Sequence, residues 1–435
     1  MDTVVKVFQY ITGLGIAVVV PLIIFLLGLL AKVKFSTAIR SALTIGVGFI
    51  GINLVVGLLI TTLIPVTTAL AAATGLQFTT VDIGGIGFAG IHLATAEVLP
   101  FVYLFGILLN IVLLAIGFTK TLDVDMWNYH HFIYAAGVMM IVTNNLVIAI
   151  VFALAELALV LKLADIYAPT VNKYFELPGI SLPHFETITW APLTSLLDKI
   201  WDKIPGLNKW KAAPEDIQKK WGILGETLVI GVVLGLIIAV IGYFSELRVD
   251  FAGTLSKILT TAISLGAVML LMPRMIRILM EGLIPLSEGV RAYITKRFPG
   301  KDIYIGLDAA VALGKPAVIS TALIMVPITL FLGIGLAKIG LSTMLPFADL
   351  ALLPFFVVWP VAHSKGNLVR SVLSSTIVIA LGLMIGSALA DVSTKLAIHN
   401  GIALPAGAVT ISSIDTGLHW TIWAVIKPLQ MLLGR

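Results

Sequence analysis

The sequence predicts an all-α polytopic membrane protein built as an inverted duplication. Three observations carry this. The chain of 435 residues is 59% hydrophobic and 12% charged, about half the charged fraction of a soluble domain. Short segments recur in order along it: FSTAIRSALT from Phe35 and FAGTLSKILT from Phe251, LIPVTTAL from Leu63 and LIPLSEGV from Leu283, NLV at Asn145 and at Asn367. Positive charge then changes ends between the two copies. A duplication inside so apolar a chain points to membrane transport.

The apolar runs cover 11–31, 45–64, 98–118, 133–161, 224–244, 255–271, 318–337, 351–362 and 372–390. A bilayer crossing needs about 20 mostly apolar residues, so several of these suffice. A soluble core of this size would need more polar surface than the chain has. Asp2 stands where a cleaved signal would carry a basic cluster, so the first run is expected to stay as a span. The chain has no cysteine. That excludes disulfides, thiolate metal sites and cysteine nucleophiles. The net charge of +5 reads as positive loops facing a cytoplasm rather than a nucleic-acid surface.

Charge placement gives each copy a direction. Before its second span, copy one carries Lys32, Lys34 and Arg40; after it, 65–82 holds no lysine or arginine. In copy two the leading loop sets Arg248 and Lys257 against Glu246 and Asp250. The far end carries Arg274, Arg277, Arg291, Lys296, Arg297 and Lys301. Since positive loops stay in the cytoplasm, the copies are expected to run in opposite directions. The first repeat is placed at 1–165, a cytoplasmic linker at 166–220, the second repeat at 221–395, and a C-terminal segment or last helix at 396–435. The linker is net basic through Lys199, Lys203, Lys209, Lys211, Lys219 and Lys220, offset by Asp198, Asp202, Glu215 and Asp216. Within it, 193–204 reads as an amphipathic helix with Leu193, Leu196, Leu197 and Ile200 on one face. Such a helix lies on a membrane surface or packs on protein, and the pattern serves both.

Two segments break the apolar pattern at corresponding places: VDIGGIGFAGIHLATAE (81–97) and YIGLDAAVALGKP (304–316). Both are rich in glycine and alanine and both embed ionisable groups. Discontinuous hairpins are expected, with open backbone groups facing a protected cavity; glycine-mediated helix packing is the plainer alternative. Asp308 lies among apolar neighbours, where a carboxylate must be paired or solvated. Its oxygens can accept hydroxyl protons from a polyol, or it can pair with Lys315. His92 and Glu97 lie in the first broken segment. His130 and His131 sit in DMWNYHHF before a strong span, His184 and Glu186 in SLPHFET, and Asn144 ahead of the next span. These residues suit a neutral hydroxylated ligand, while His130 and His131 also suit an interface beside Trp127. No two histidines have catalytic-zinc spacing, and no nucleotide-binding loop is present, so neither metal nor cofactor is expected.

The chain resembles the galactitol-type IIC membrane component of the bacterial phosphotransferase system, in the ascorbate–galactitol superfamily. The stretches that carry this include GVGFIGINLVVGL (46–58), DVDMWNYHHF (123–132), NKYFELPGISLPH (172–184), YIGLDAAVALGKPAVIS (304–320) and AHSKGNLVRS (362–371). The resemblance implies two inverted five-helix repeats with re-entrant hairpins, about 10–11 transmembrane helices in all. It implies a core domain moving against a V-shaped scaffold in the manner of an elevator, and a homodimer held in lipid. It implies no catalysis on this chain. The sugar would be phosphorylated by a separate IIB partner, charged through IIA, whose cysteine carries the phosphoryl group. The ascorbate carrier's binding residues correspond to His131, His184 and Asp308. Its histidine–glutamine pair is replaced by His184–Phe185, with Glu186 one place later, which favours a polyol or hexose over an enediol lactone. Arg291, Arg297 and Lys301 then become a surface for the partner or for phosphate. An ion-coupled carrier of a small polar solute is the alternative class.

Overall fold

The computed structural model describes residues 10, 14, 16–74, 80–207, 226–297, 303–346, 348–405 and 408–434. Lys209, Lys211, Lys219, Lys220 and Lys301 therefore lie outside the described residues. Helices dominate, and among the described residues five are long and apolar enough to cross a bilayer: Phe35–Val66, Leu146–Tyr174, Phe251–Leu286, Pro316–Lys338 and Leu368–His399. The chain is an all-α multi-pass membrane protein.

The first half runs α1 (Ile16–Leu30), α2 (Phe35–Thr74), β1 (Thr80–Asp82), α3 (Gly84–Leu93), α4 (Leu99–Ala115), β2 (Thr121–Asp123), α5 (Tyr129–Thr143), α6 (Leu146–Tyr174) and β3 (Ile180–Ser181). The short α7 (Phe185–Ile188) and the amphipathic α8 (Ala191–Trp201) follow. The second half holds α9 (Thr227–Gly242), α10 (Phe251–Arg297), β4 (Tyr304–Gly306), a 3₁₀ turn (Ala309–Gly314) and α11 (Pro316–Lys338). After these come α12 (Leu353–Phe356), α13 (Val358–His363), α14 (Leu368–His399), β5 (Thr410–Ser412), α15 (Ile414–Leu418) and α16 (Trp420–Leu433).

The apolar run at 98–118 yields a helix of 17 residues, about 25 Å long and short of the hydrocarbon thickness. The run at 351–362 is broken at Val357 into two short helices. Neither broken segment is a continuous span. The first becomes β1 and a ten-residue α3 entered through Gly84 at φ 67°, a conformation glycine adopts without strain. The second becomes β4 and the 3₁₀ turn, closed by Pro316 at the start of α11, where a missing N–H costs nothing.

The recurring segments land on corresponding structure. Phe35 and Phe251 each open a long helix, α2 and α10, and these two pack against each other. They approach backbone to backbone: a Cβ on Gly282 would stand 2.7 Å from the Ser41 carbonyl oxygen, so only glycine permits the contact. Asn145 and Asn367 each cap the following helix, accepting from Ile148 N–H and Arg370 N–H at 3.1 Å in both cases.

The strands cross between halves. β4 lies between β2 and β3, parallel to both. β1 pairs in parallel with β5 and bridges Met344. Each central strand thus comes from one half and its neighbours from the other. These strands have two or three residues, far too few for a sheet to stand alone. Their role is to seat the broken segments against one another.

Helix α8 is docked by polar clamps. Arg370 on α14 donates to the Asp198 carbonyl oxygen at 2.8 Å, meets the Asp198 carboxylate, and lies 2.8 Å from Asp202. Trp201 donates to Ser374 at 2.8 Å, and Thr194 pairs with His363 at 2.9 Å. Leu196, Ile200 and Ile204 stay exposed, so the helix packs on protein at one edge and keeps an apolar edge free. Arg370→Ala is expected to cost about 2 kcal/mol of docking free energy. Trypsin should then cut at Lys203 roughly thirtyfold faster; an unchanged cleavage rate would show the clamp to be idle.

Candidate functional site

A cavity of about 340 Å³ opens where the broken segments meet, a volume in the range of small-molecule sites. Phe49, Ile52 and Asn53 of α2 form one wall. The other is polar: His130 and His131 from α5, His184 and Glu186 at α7, Asp308 after β4, and Asp415 in α15. Trp127 and Phe355 add flat apolar surface. Each of the six polar side chains is buried.

Backbone geometry aims these groups. Asp308 caps the 3₁₀ turn, its Oδ1 accepting from Ala310 N–H at 2.6 Å. One carboxylate oxygen is therefore committed to the fold, and Oδ2 is the oxygen turned to the ligand space. It lies 3.6 Å from His184 Nε2, and Glu186 Oε1 lies 3.6 Å from the same nitrogen. Those gaps exceed a hydrogen bond and fit polar groups that converge on a shared guest. Lys315 instead pairs with Glu176 at 2.9 Å. Ligand atoms of His131, His184 and Glu186 lie within 4.8 Å of one another, spacing that could surround a cation or a hydroxyl.

The first broken segment, beside the cavity, is held by two carboxylates, the half-buried Asp82 and the buried Asp349. Asp82 accepts from Gly84 N–H at 2.8 Å and from Ala348 N–H at 2.8 Å. Asp349 accepts from Gly85 N–H at 2.9 Å and from Ile414 N–H. Together they tie α3, the 348–349 backbone and the start of α15 into one unit.

Of the residues singled out in the sequence, the structure brings His131, His184, Glu186 and Asp308 to one cavity. His92 stands behind the wall, its Nδ1 3.2 Å from that of His130. Glu97 is exposed and lies 3.4 Å from His399. Asn144 ends α5 in the left-handed conformation at φ 52°, apart from the cavity lining. Arg291 and Arg297 fall in the last turns of α10.

Two residues escaped sequence reasoning. Asp415 lines the cavity, and His419 lies 2.9 Å behind His131. Both belong to IDTGLHW, which follows β5 as HFETI follows β3. Glu186 and Asp415 are each the second residue of the short helix after a flanking strand. That correspondence was the available signal.

A multi-pass membrane protein with a cavity lined by buried polar side chains among interrupted helices has the architecture of a solute permease. The sequence profile of the PTS system sugar-specific permease component family matches residues 10–407. A putative permease IIC component of Escherichia coli K12 is 36% identical over 420 residues, covering 95% of this chain and 92% of that protein. The galactitol-specific EIIC component of the same strain is 34% identical over 422 residues, covering 97% and 90%. The chain belongs to the galactitol-type EIIC permeases of the phosphotransferase system, multi-pass proteins of the bacterial inner membrane. Its 435 residues hold no cysteine, so none of them carries a phosphoryl group on a thiol.

Proposed function

We propose that this permease binds galactitol, or a closely related hexitol or hexose, in the cavity between α2 and the two broken segments. The observation that carries the reading is the cavity itself. It sets several buried acceptors against flat apolar surface, which matches a solute with many hydroxyls and little net charge. The galactitol-specific relative, similar across nearly the whole chain, supports the same substrate class. Phe185 at the place of the ascorbate carrier's glutamine, with the carboxylate Glu186 one place later, weighs against an acidic lactone.

Transport follows from the duplication. Matching helix starts, matching asparagine caps and reciprocal strand pairing support two inverted repeats. The hairpins with α5, α6, α11 and α14 would form a core that slides against a scaffold built on α2 and α10. Phe49, Ile52 and Asn53 would be the scaffold face past which the sugar moves, and paired scaffolds would make a homodimer in lipid. On the cytoplasmic side, a hydroxyl of the bound sugar would attack the phosphoryl group on the IIB cysteine. The O–P bond forms as the S–P bond breaks, the cysteine leaves as thiolate, and the hydroxyl proton passes to water. Arg291, Arg297 and Lys301 would steer the phosphoryl donor.

Proteoliposomes holding the purified permease should accumulate sugar phosphate when phosphorylated IIB is supplied, and no sugar when it is withheld. Concentrative uptake of unmodified sugar under a proton or sodium gradient would replace this reading with ion-coupled transport.

A further inference from the structure

Behind the cavity, His419 makes two contacts that fix the chemistry of His131. Its Nδ1 lies 2.8 Å from the Asp415 carbonyl oxygen, and its Nε2 lies 2.9 Å from His131 Nδ1. A carbonyl oxygen accepts and cannot donate. The proton is therefore on His419 Nδ1. The His419 ring is fully buried, and its two hydrogen bonds go to a carbonyl and an imidazole, neither of which would offset a buried cation. A neutral His419 leaves Nε2 as a lone pair. His131 Nδ1 must then donate to it, which in the neutral His131 imidazole leaves Nε2 without a proton. The tautomers follow from the partners.

This matters because the Nδ1–H form is the less common one in water. An unsupported His131 would favour Nε2–H and offer a donor to its ligand. On the footing that the cavity takes a polyol, we propose that His419 is a positioning residue that locks His131 as a hydrogen-bond acceptor. His131 then requires a hydroxyl donor on the sugar. A substrate lacking that hydroxyl leaves a buried lone pair open, and this penalty gives the site selectivity. His419 touches no substrate; it acts through His131.

Two substitutions separate the roles of His419. Asparagine places an N–H near the original Nδ1 and keeps the bond to Asp415, but its side chain is too short to meet His131. Glutamine reaches the position of Nε2 and supplies a carbonyl oxygen to accept from His131. Histidine-selective ¹⁵N NMR of the full-length protein in nanodiscs, with the His131 signal assigned by its loss in H131Q, should show Nδ1–H in the wild type and in H419Q. In H419N the proton should move to Nε2. Galactitol affinity should fall about tenfold in H419N and stay within about twofold of wild type in H419Q, with equal melting temperatures for the two variants. An Nε2–H signal in the wild type, or an H419N variant that keeps both tautomer and affinity, would overturn the proposal. If the wild type binds no polyol yet His131 carries its proton on Nδ1, the polyol reading fails and the His419 relay stands.

Discussion

Asp308→Asn is expected to weaken sugar binding by roughly 100-fold while leaving the protein folded and inserted. The substitution is unusually clean because the two carboxylate oxygens have different duties. Oδ1 caps the Ala310 N–H at 2.6 Å, and an asparagine carbonyl keeps that bond. Oδ2, 3.6 Å from His184, becomes an NH₂ group. The site loses a charged acceptor and gains a donor directed at the ligand. Removing a charge-assisted hydrogen bond costs about 1.5–3 kcal/mol, and an ill-matched donor adds to it. Isothermal titration with galactitol and the nearest hexitols checks the affinity, and size-exclusion chromatography in detergent checks the fold. Wild-type affinity in D308N would remove Asp308 from the site. Alanine is a poorer probe, because it strips the cap as well.

Asp349→Ala should act on stability first and on binding through it. Asp349 is fully buried and accepts from Gly85 on one hairpin and Ile414 on the segment that carries Asp415. Alanine leaves both amides buried without a partner, at about 1–3 kcal/mol each. The first hairpin and α15 should separate, so that the cavity loses one side. A fall of several degrees in melting temperature is expected, together with new protease cutting in 83–94. A variant that melts and binds like wild type would show that water replaces the carboxylate without penalty.

Much of this was legible in the sequence, and the reason is physical. Asp308, His184 and Glu186 announce themselves because ionisable side chains amid apolar residues need a stated purpose. The helix starts at Phe35 and Phe251 are visible because the same local code is written twice. The amphipathic α8 follows from spacing, and the helix forms over Ala191–Trp201 against an expected 193–204. What was hidden lies in contacts of long range. Strands of two or three residues are too short to show an alternating pattern, so nothing in TVD announced its pairing with TIS. Asp415 and His419 sit in a stretch with no strong apolar run, and they become site residues only after β5 reaches β1. Asp308 looked free at both oxygens because the Ala310 cap is a property of local backbone shape. Charge counting read the halves as opposed; the strand pairing shows that the two halves interlock, which is a matter of contact and not of direction.

That pairing also bears on how the protein is made. Thr80 must find Thr410, a neighbour 330 residues further along the chain. At about 10 residues per second, a ribosome needs roughly half a minute to deliver it. During that interval β1 and the hairpin it seats are already in the membrane with their partner still unwritten. The nascent first half is thus a waiting structure, and a strand translated much later is the one that completes it.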